Sequence, residues 1–394
     1  MIRVLLVAGE FPNLADAGGI GTYTAATAEA LASVGCHVEV LVCARGLHSS
    51  TIERHCYRIH SRPLLRWALP LAPALPRTTI RLLAATSVRY WLRRLGSAFD
   101  VIEYPEWRAD GAFLPPSNAS RVVHLHTGIA VAADFDRVAN PIDRYLAGVL
   151  ERRGIRNADR VVAASQLIVD ATREKVKALP GATVLPLGID FRKVEASGPA
   201  APGADLPIVL VVGRIVQRKG HLQAIEAMRI LRTRGIRGAL VFAGGPPRDR
   251  RGRRLLQDIS RAAERAEVPL IVLGPVRPAE LVRWYQKARV VLVPSAFESY
   301  SMVVIEAAAH SRPVVTTSRV GSSEHLTCIT VTGPSPPELA DGLAPYLSDV
   351  ATARRAGELA RAEVSRALDS RLLALRRIEA YRSTAADRAR SSST

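Results

Sequence analysis

Lysine is scarce in this chain. Only Lys175, Lys177, Lys193, Lys219 and Lys287 are lysines; every other basic residue is arginine. Acids are in deficit as well, 36 Asp and Glu against 54 Lys and Arg, which leaves a net charge of +18. With so much alanine beside it, one reading of the arginine bias is the composition of a GC-rich genome. Cysteine is limited to Cys36, Cys43, Cys56 and Cys328, with neither paired C-x-x-C spacing nor a disulfide-rich density, so reduced thiols in a cytoplasmic protein are expected. No run of 18 or more apolar residues occurs, and MIRVLLVAGEFP lacks the cleavage region of a signal peptide. No helix-turn-helix, zinc-finger or RNP-type motif accompanies the charge, so nucleic acid is not the expected partner.

What is present is ordinary globular material, 48% apolar and 23% charged. The 394 residues exceed one compact core and predict two domains. Residues 51 to 96 carry nine arginines (Arg54, Arg58, Arg62, Arg66, Arg77, Arg81, Arg89, Arg93, Arg94) and one acid, Glu53, interleaved with Trp67, Tyr90 and Trp91. Such a stretch can rest on anionic lipid, giving peripheral contact at the inner face of the membrane, or stand as a solvated face.

Short apolar runs alternate with helical periodicity along the chain. IRVLLVA (2–8), HVEVLVC (37–43), DVIEY (100–104), RVVHLH (121–126), RVVAAS (160–165) and TVLPL (183–187) read as buried strands of a parallel sheet. The pattern restarts with IVLVVG (208–213), ALVFAG (239–244), LIVLG (270–274), RVVLVPS (289–295), PVVTTS (313–318) and CITVT (328–332). Between them EASGPAAPGAD has no periodicity. The expectation is an α/β chain of two doubly wound domains facing across a cleft: 1–190, a linker 191–207, and 208–375. Residues 376–394 are expected to form a C-terminal helix end, free to pack back on the first domain, and a tail. Ligands of such sheets bind beyond the carboxyl ends of the strands.

PSAFESYSMVVIEAAAHSRPVV (294–315) puts a loop and then a helix after one of these strands. The helix is expected from about residue 300 or 301 to 309. Its free N–H groups make an anion site suited to phosphate. Glu306, further in, can accept two hydrogen bonds from a vicinal diol such as ribose, and Glu298 in the loop reaches toward whatever the phosphate carries. The alternative is that Glu298 caps the helix and Glu306 faces solvent. In VVGRIVQRKG (211–220), Arg214 and Lys219 fall on the loop at the carboxyl end of the first strand of the second domain, where two cations suit a departing diphosphate; each could equally be a surface charge. Gly18, Gly19 and Gly21 in NLADAGGIGTY allow close backbone approach or simply a tight turn. His126 ends a strand at the cleft edge; His124 shares its strand face.

Taken in order, GGIGTY, VVHLH, VLPLGID, VVGRIVQRKG, FAGGPP, VLGPV and PSAFESYSMVVIEAAAHSRPVV resemble the signature of family-four glycosyltransferases, retaining enzymes of the GT-B fold with a Glu-x7-Glu motif. The resemblance covers nearly the whole chain. It implies that Arg214 and Lys219 bind the diphosphate, Glu306 the ribose and Glu298 the donor sugar. It places main-chain groups of Ser301, Met302 and Val303 on phosphate, Gly19 by donor and acceptor, Val276 near the base, and His126 beside the reacting sugar. It implies no cofactor and no metal, and a nucleotide sugar as substrate, a UDP-sugar ahead of a GDP-sugar. The setting is envelope glycolipid, polysaccharide or natural-product biosynthesis; the acceptor is not specified. Transfer would proceed from the leaving group's own face, the β-phosphate taking the acceptor's proton, with domain closure excluding water. The chain departs from the family at Tyr300-Ser301 in place of Phe-Gly, at Ser311 in place of glycine, and at Val320-Gly321 in place of a glycine pair. A Rossmann oxidoreductase lacks support, since no G-x-G-x-x-G follows the first strand. A sugar-nucleotide-binding scaffold without turnover is the remaining alternative.

Overall fold

The computed structural model describes residues 1–14, 18–96, 98–135, 140–177, 179–194, 206–247 and 249–391, with the side chains of 387–391 excepted. The chain divides into two compact units, Met1–Gly188 with Ser370–Thr394, and Ile189–Asp369. Of the expected linker, residues 195–205 lie outside the described residues. Its described start is one 3-10 turn, Phe191–Lys193, whose Arg192 N–H bonds the Asp190 side chain.

In chain order the first unit runs β1 (Arg3–Ala8), α1 (Gly19–Ser33), β2 (His37–Ala44), β3 (Ser50–Glu53), β4 (Arg58–Pro63), α2 (Pro76–Leu95), β5 (Val101–Pro105), β6 (Ser120–Leu125), α3 (Ile129–Ala132), α4 (Pro141–Arg156), β7 (Arg160–Ala163), α5 (Gln166–Lys175) and β8 (Ala182–Val184). The eight strands are ordered β3-β4-β2-β1-β5-β6-β7-β8, parallel throughout except for β3 against β4. Strand β1 is central because RVLLVA is apolar on both faces: Val4 pairs Val38 on one side and Val101 on the other, and all three are buried.

The second unit holds β9 (Ile208–Val212), α6 (His221–Thr233), β10 (Ala239–Ala243), α7 (Arg250–Arg265), β11 (Leu270–Gly274), α8 (Pro278–Lys287), β12 (Val290–Val293), α9 (Met302–Ala309), β13 (Val314–Thr317), β14 (Thr330–Thr332), α10 (Pro336–Ser348) and α11 (Val350–Ala367). Its six strands run β11-β10-β9-β12-β13-β14, all parallel. The order turns back at β9 and β12, the place where a doubly wound sheet opens a crevice at its carboxyl edge.

The last helix, α12 (Ser370–Ser391), belongs wholly to the first unit, so the boundary falls at Asp369/Ser370 rather than 375/376. Ala374, Ile378, Ala380 and Tyr381 join the core built on Val4, Val38 and Val101. Beneath them Glu103 of β5 accepts hydrogen bonds from Arg377 (3.0 and 2.8 Å), Tyr381 (2.5 Å) and Tyr23 of α1 (2.5 Å).

Residues 51–96 do not form one basic face. They supply β3, β4 and α2, and the edge of a sheet and the helix covering it draw several arginines inward. Arg81 is buried and paired with Glu151. Arg58 bonds Glu53 at 2.5 Å, Arg62 the carbonyls of Ser50 and Ser61, and Arg89 the carbonyl of Phe113. Arg94 stacks on Tyr90 at 3.7 Å. Arg54, Arg66, Trp67 and Arg93 stay exposed. No helix among the described residues is long and apolar enough to cross a membrane.

Candidate active site

The expected site residues fall into two groups, one on each unit. On the second unit, β9 ends at Val212 and the chain turns through Gln217–Lys219 to Gly220. Gly220 has φ 72°, and a Cβ there would stand 2.0 Å from the Pro294 carbonyl oxygen. Only glycine lets this loop press onto the end of β12. The approach is locked by the Ala296 N–H donating to the Arg218 carbonyl at 2.8 Å. It brings Lys219 Nζ within 2.6 Å of Glu298 Oε1.

Two further donors reach the same oxygen: Arg218 Nη1 at 3.1 Å and Ser295 Oγ at 3.1 Å. Oε2 carries none of these bonds. The Glu298 backbone is fixed as well, its N–H donating to the Arg319 carbonyl and its carbonyl accepting from Gly321 N–H, each at 3.0 Å. A nearly buried carboxylate is thus held by two cations and a hydroxyl, with one oxygen left for a ligand. Arg214, on the same loop, is exposed.

Helix α9 follows. Its N-cap is Ser301, not Glu298, and the Ser301 side chain makes no capping bond; its Oγ is buried without a hydrogen-bond partner. The N–H groups of the first turn, at Met302 and Val303, have no intrahelical acceptors. Glu306 does not simply face solvent: Oε2 accepts from the Tyr285 hydroxyl at 2.8 Å. Burial pushes the Glu306 carboxyl up, and the Tyr285 bond opposes this. Tyr285 stacks on His310 with ring centroids 5.3 Å apart. Val276 is half-buried in the loop after β11.

On the first unit, Gly19 opens α1 and is exposed, with nothing within 4 Å of where a Cβ would stand. Residues 15–17 of the same glycine loop lie outside the described residues. Gly18 N–H is tied to Glu10 Oε2 at 2.8 Å. His126 stands just past β6, its ring 4.5 Å from His124 and 5.1 Å from Tyr23. Burial, then the charge of Arg377, lowers its pKa to about 3. That shift favours the neutral imidazole. His124, fully within the sheet with both ring nitrogens unpartnered, is neutral for the same reason.

Sequence reasoning missed Arg218, Ser295 and Tyr285. Arg218 had a signal, since QRKG offers two adjacent cations. Tyr285 had none, because its partner is 21 residues away on another helix. Among the described residues no group of three His, Cys, Asp or Glu side chains could hold a metal ion.

A pair of doubly wound sheets, the second with cations and a bonded carboxylate at its carboxyl edge, is the GT-B architecture of glycosyltransferases. Residues 206–349 match the family described as Glycosyl transferases group 1, and residues 17–193 the one described as Glycosyltransferase Family 4. The D-inositol 3-phosphate glycosyltransferase of Acidothermus cellulolyticus is 32% identical over 352 residues, covering 82% of this chain and 75% of the relative. That of Nocardia farcinica is 28% identical over 373 residues, covering 88% and 80%. Among solved structures, sucrose-phosphate synthase from Thermosynechococcus elongatus aligns with TM-score 0.78 at 23% identity, over 98% of this chain and 100% of that one. A chain described as trehalose-6-phosphate from E. coli bound with UDP-2-fluoro glucose aligns with TM-score 0.73 at 15% identity, over 96% and 98%. The chain belongs to glycosyltransferase family 4.

Proposed function

We propose that this glycosyltransferase moves a sugar from a nucleotide diphosphate sugar, a UDP-sugar in the favoured case, to an acceptor hydroxyl with retention of configuration. The observation that carries this is the Lys219–Glu298–Arg218–Ser295 cluster at the carboxyl edge of the second sheet. Lys219 and Arg214 neutralise the diphosphate as it leaves, and the first-turn N–H groups of α9 share that charge. Glu298 Oε2 orients the sugar and opposes the positive charge at its anomeric carbon. Glu306 holds the ribose diol, its Oε2 fixed by Tyr285. The acceptor oxygen bonds to the anomeric carbon as the carbon–phosphate oxygen bond breaks, and the acceptor's proton passes to the β-phosphate oxygen. No protein nucleophile and no resident metal enter this scheme.

The acceptor reading is an anionic, phosphorylated polyol or sugar. It draws on the names of the curated relatives and on a pocket of about 330 Å³ in the first unit, lined by Arg144 and Arg152 beside Tyr145 and by Lys175, which is paired there with Asp134 at 3.1 Å. A peripheral contact with anionic membrane is a separate property, for which Arg54, Arg66, Trp67 and Arg93 are the exposed groups of a stretch that forms no single basic face.

A thermal-shift panel of sugar nucleotides tests the reading, because the cognate donor stabilises the native state in proportion to RT ln(1 + [L]/Kd). With that donor, Lys219→Ala and Arg214→Ala each lower turnover by on the order of 10²-fold, and chelator leaves it intact. Unchanged turnover in both variants would remove the diphosphate assignment. Binding without donor turnover or hydrolysis would instead favour the scaffold alternative.

A further inference from the structure

The turn after β5 and the middle of α4 each bury a glutamate that the scheme above does not use. Glu106 and Glu151 are 3% and 4% exposed. Glu106 Oε1 accepts from the His126 N–H at 2.8 Å, and Glu151 Oε2 accepts from the Ile129 N–H at 2.7 Å. Between those two N–H groups lies the short loop joining β6 to α3. Gly128 sits so close that a Cβ would be 2.8 Å from Glu151 Oε2 and 3.5 Å from Glu106 Cγ. Glu151 Oε1 is held by Arg81 of α2 through both Nε and Nη2. Glu106 Oε2 is buried with no hydrogen-bond partner. Both carboxylates line a cavity of about 20 Å³, room for about one water.

We propose that Glu106 and Glu151 are positioning residues that clamp the His126 loop from beneath, working as a pair that shares one proton and one negative charge. The proposal rests on the reading of His126 as a residue beside the reacting sugar. Two carboxylates buried against the same glycine cannot both stay ionised without a large electrostatic cost, even with Arg81 bonded to Glu151 and Arg152 lining the same cavity. The charge therefore stays on the glutamate that Arg81 touches, and the proton stays on Glu106. Burial, followed by the neighbouring Glu151, raises the Glu106 carboxyl to about 8, against the pull of the His126 N–H. Burial raises Glu151 to about 7, opposed by Arg81 and the Ile129 N–H. The other charged or titratable groups around the pair are Arg152 on α4, His124 and His126 at the end of β6, and Arg108 and Asp110 in the Glu106 turn. With Glu106 protonated the two acids coexist against Gly128. Once Glu106 ionises they repel, and the loop between them loses its fixed position.

The test compares Glu106→Gln, Glu106→Ala and Gly128→Ala with the wild-type full chain. In wild type, kcat falls on a basic limb with an apparent pKa near 8. In Glu106→Gln that limb is gone and kcat at pH 7 stays within about tenfold, because the amide keeps an acceptor for His126 N–H and mimics the protonated acid. Glu106→Ala loses at least a hundredfold in kcat, with the donor KM within about twofold, since the donor is held elsewhere. Amide hydrogen exchange at His126 and Ile129 and the carboxyl resonance of Glu106 report on the clamp without any turnover, so they decide it even if no sugar nucleotide is a substrate. Faster exchange in Glu106→Ala and Gly128→Ala, confined to this loop, supports the clamp. A Glu106 carboxyl titrating near the ordinary carboxylate range of about 4.3 overturns it, as does equal kcat in Glu106→Gln and Glu106→Ala. If Glu106→Ala fails to fold, Glu106→Gln and Gly128→Ala carry the test.

Discussion

Replacing Arg377 by methionine measures how firmly the last helix is held. Arg377 is 4% exposed and Glu103 3%, with bonds of 3.0 and 2.8 Å between them. Methionine keeps the length of the side chain and removes the charge, which leaves Glu103 buried with only the hydroxyls of Tyr23 and Tyr381. Breaking one side of a buried pair costs about 3–5 kcal/mol. For a unit of this size that is a fall of roughly 6–20 °C in melting temperature. Trp67, Trp91 and Trp107 lie in the first unit and only Trp284 in the second, so tryptophan fluorescence during urea unfolding reports mainly on the unit concerned. Adding Glu103→Gln should restore most of the loss, because the amide oxygen accepts from one tyrosine hydroxyl while its NH2 donates to the oxygen of the other, and no charge remains buried. A single variant within about 1 kcal/mol of wild type, or a double variant destabilised by the full sum of both changes, would refute the reasoning.

Four other outcomes are expected. Glu306→Ala weakens nucleotide binding by about 1.5–3 kcal/mol in calorimetry, and Tyr285→Phe by about 0.5–1.5 kcal/mol; equal affinity in both contradicts the ribose role. Ser311 stands at φ 57°, where glycine is unstrained. Ser311→Gly should therefore stabilise by about 0.5–1 kcal/mol in urea, the left-handed strain of roughly 1–2 kcal/mol less glycine's extra folding entropy; a loss of stability would show the strain is relieved some other way. Because folded Glu106 keeps a proton that the unfolded chain gives up, stability declines between about pH 5 and 8 at up to about 1.4 kcal/mol per unit. Glu106→Gln should remove the part of that decline between about pH 7 and 8, above the range where Glu151 also gives up its proton, and an unchanged slope there assigns the proton to another group. Finally, the protein should sediment with anionic liposomes at low salt and less so after Arg54, Arg66 and Arg93 are changed to glutamine, with equal recovery on neutral liposomes counting against membrane contact.

The doubly wound class was legible because buried parallel strands are written as unbroken apolar runs, IVLVV and VVLV among them. Strands β3 and β4 were not. STIE and RIHSRP carry polar and basic side chains because they lie at one edge of the sheet, and their arginines read as surface charge. Lys219 and Glu298 could each be placed on the loop after a strand from their motifs, and the pairing of β9 with β12, which the motifs do not show, puts them 2.6 Å apart. Arg81, Glu103, Glu106, Glu151 and Arg377 could not be singled out. A buried charge has the same letter as an exposed one, and its partner lies 70 residues away for Arg81 and 274 for Arg377.

The place of α12 has a consequence for synthesis. The second unit is one continuous segment, Ile189–Asp369, while the first is interrupted by it and completed only by Ser370 onward. Glu103 emerges from the ribosome long before Arg377 and Tyr381. At about 5–20 residues per second, the gap between the end of β8 and the arrival of α12 is on the order of 10–40 s. During that interval the nascent first unit has its sheet but lacks Ala374, Ile378 and Tyr381 from its core, and it carries an unpaired acid at Glu103. The second unit has everything it needs to fold first. The half of the enzyme translated earliest is therefore the half that matures last.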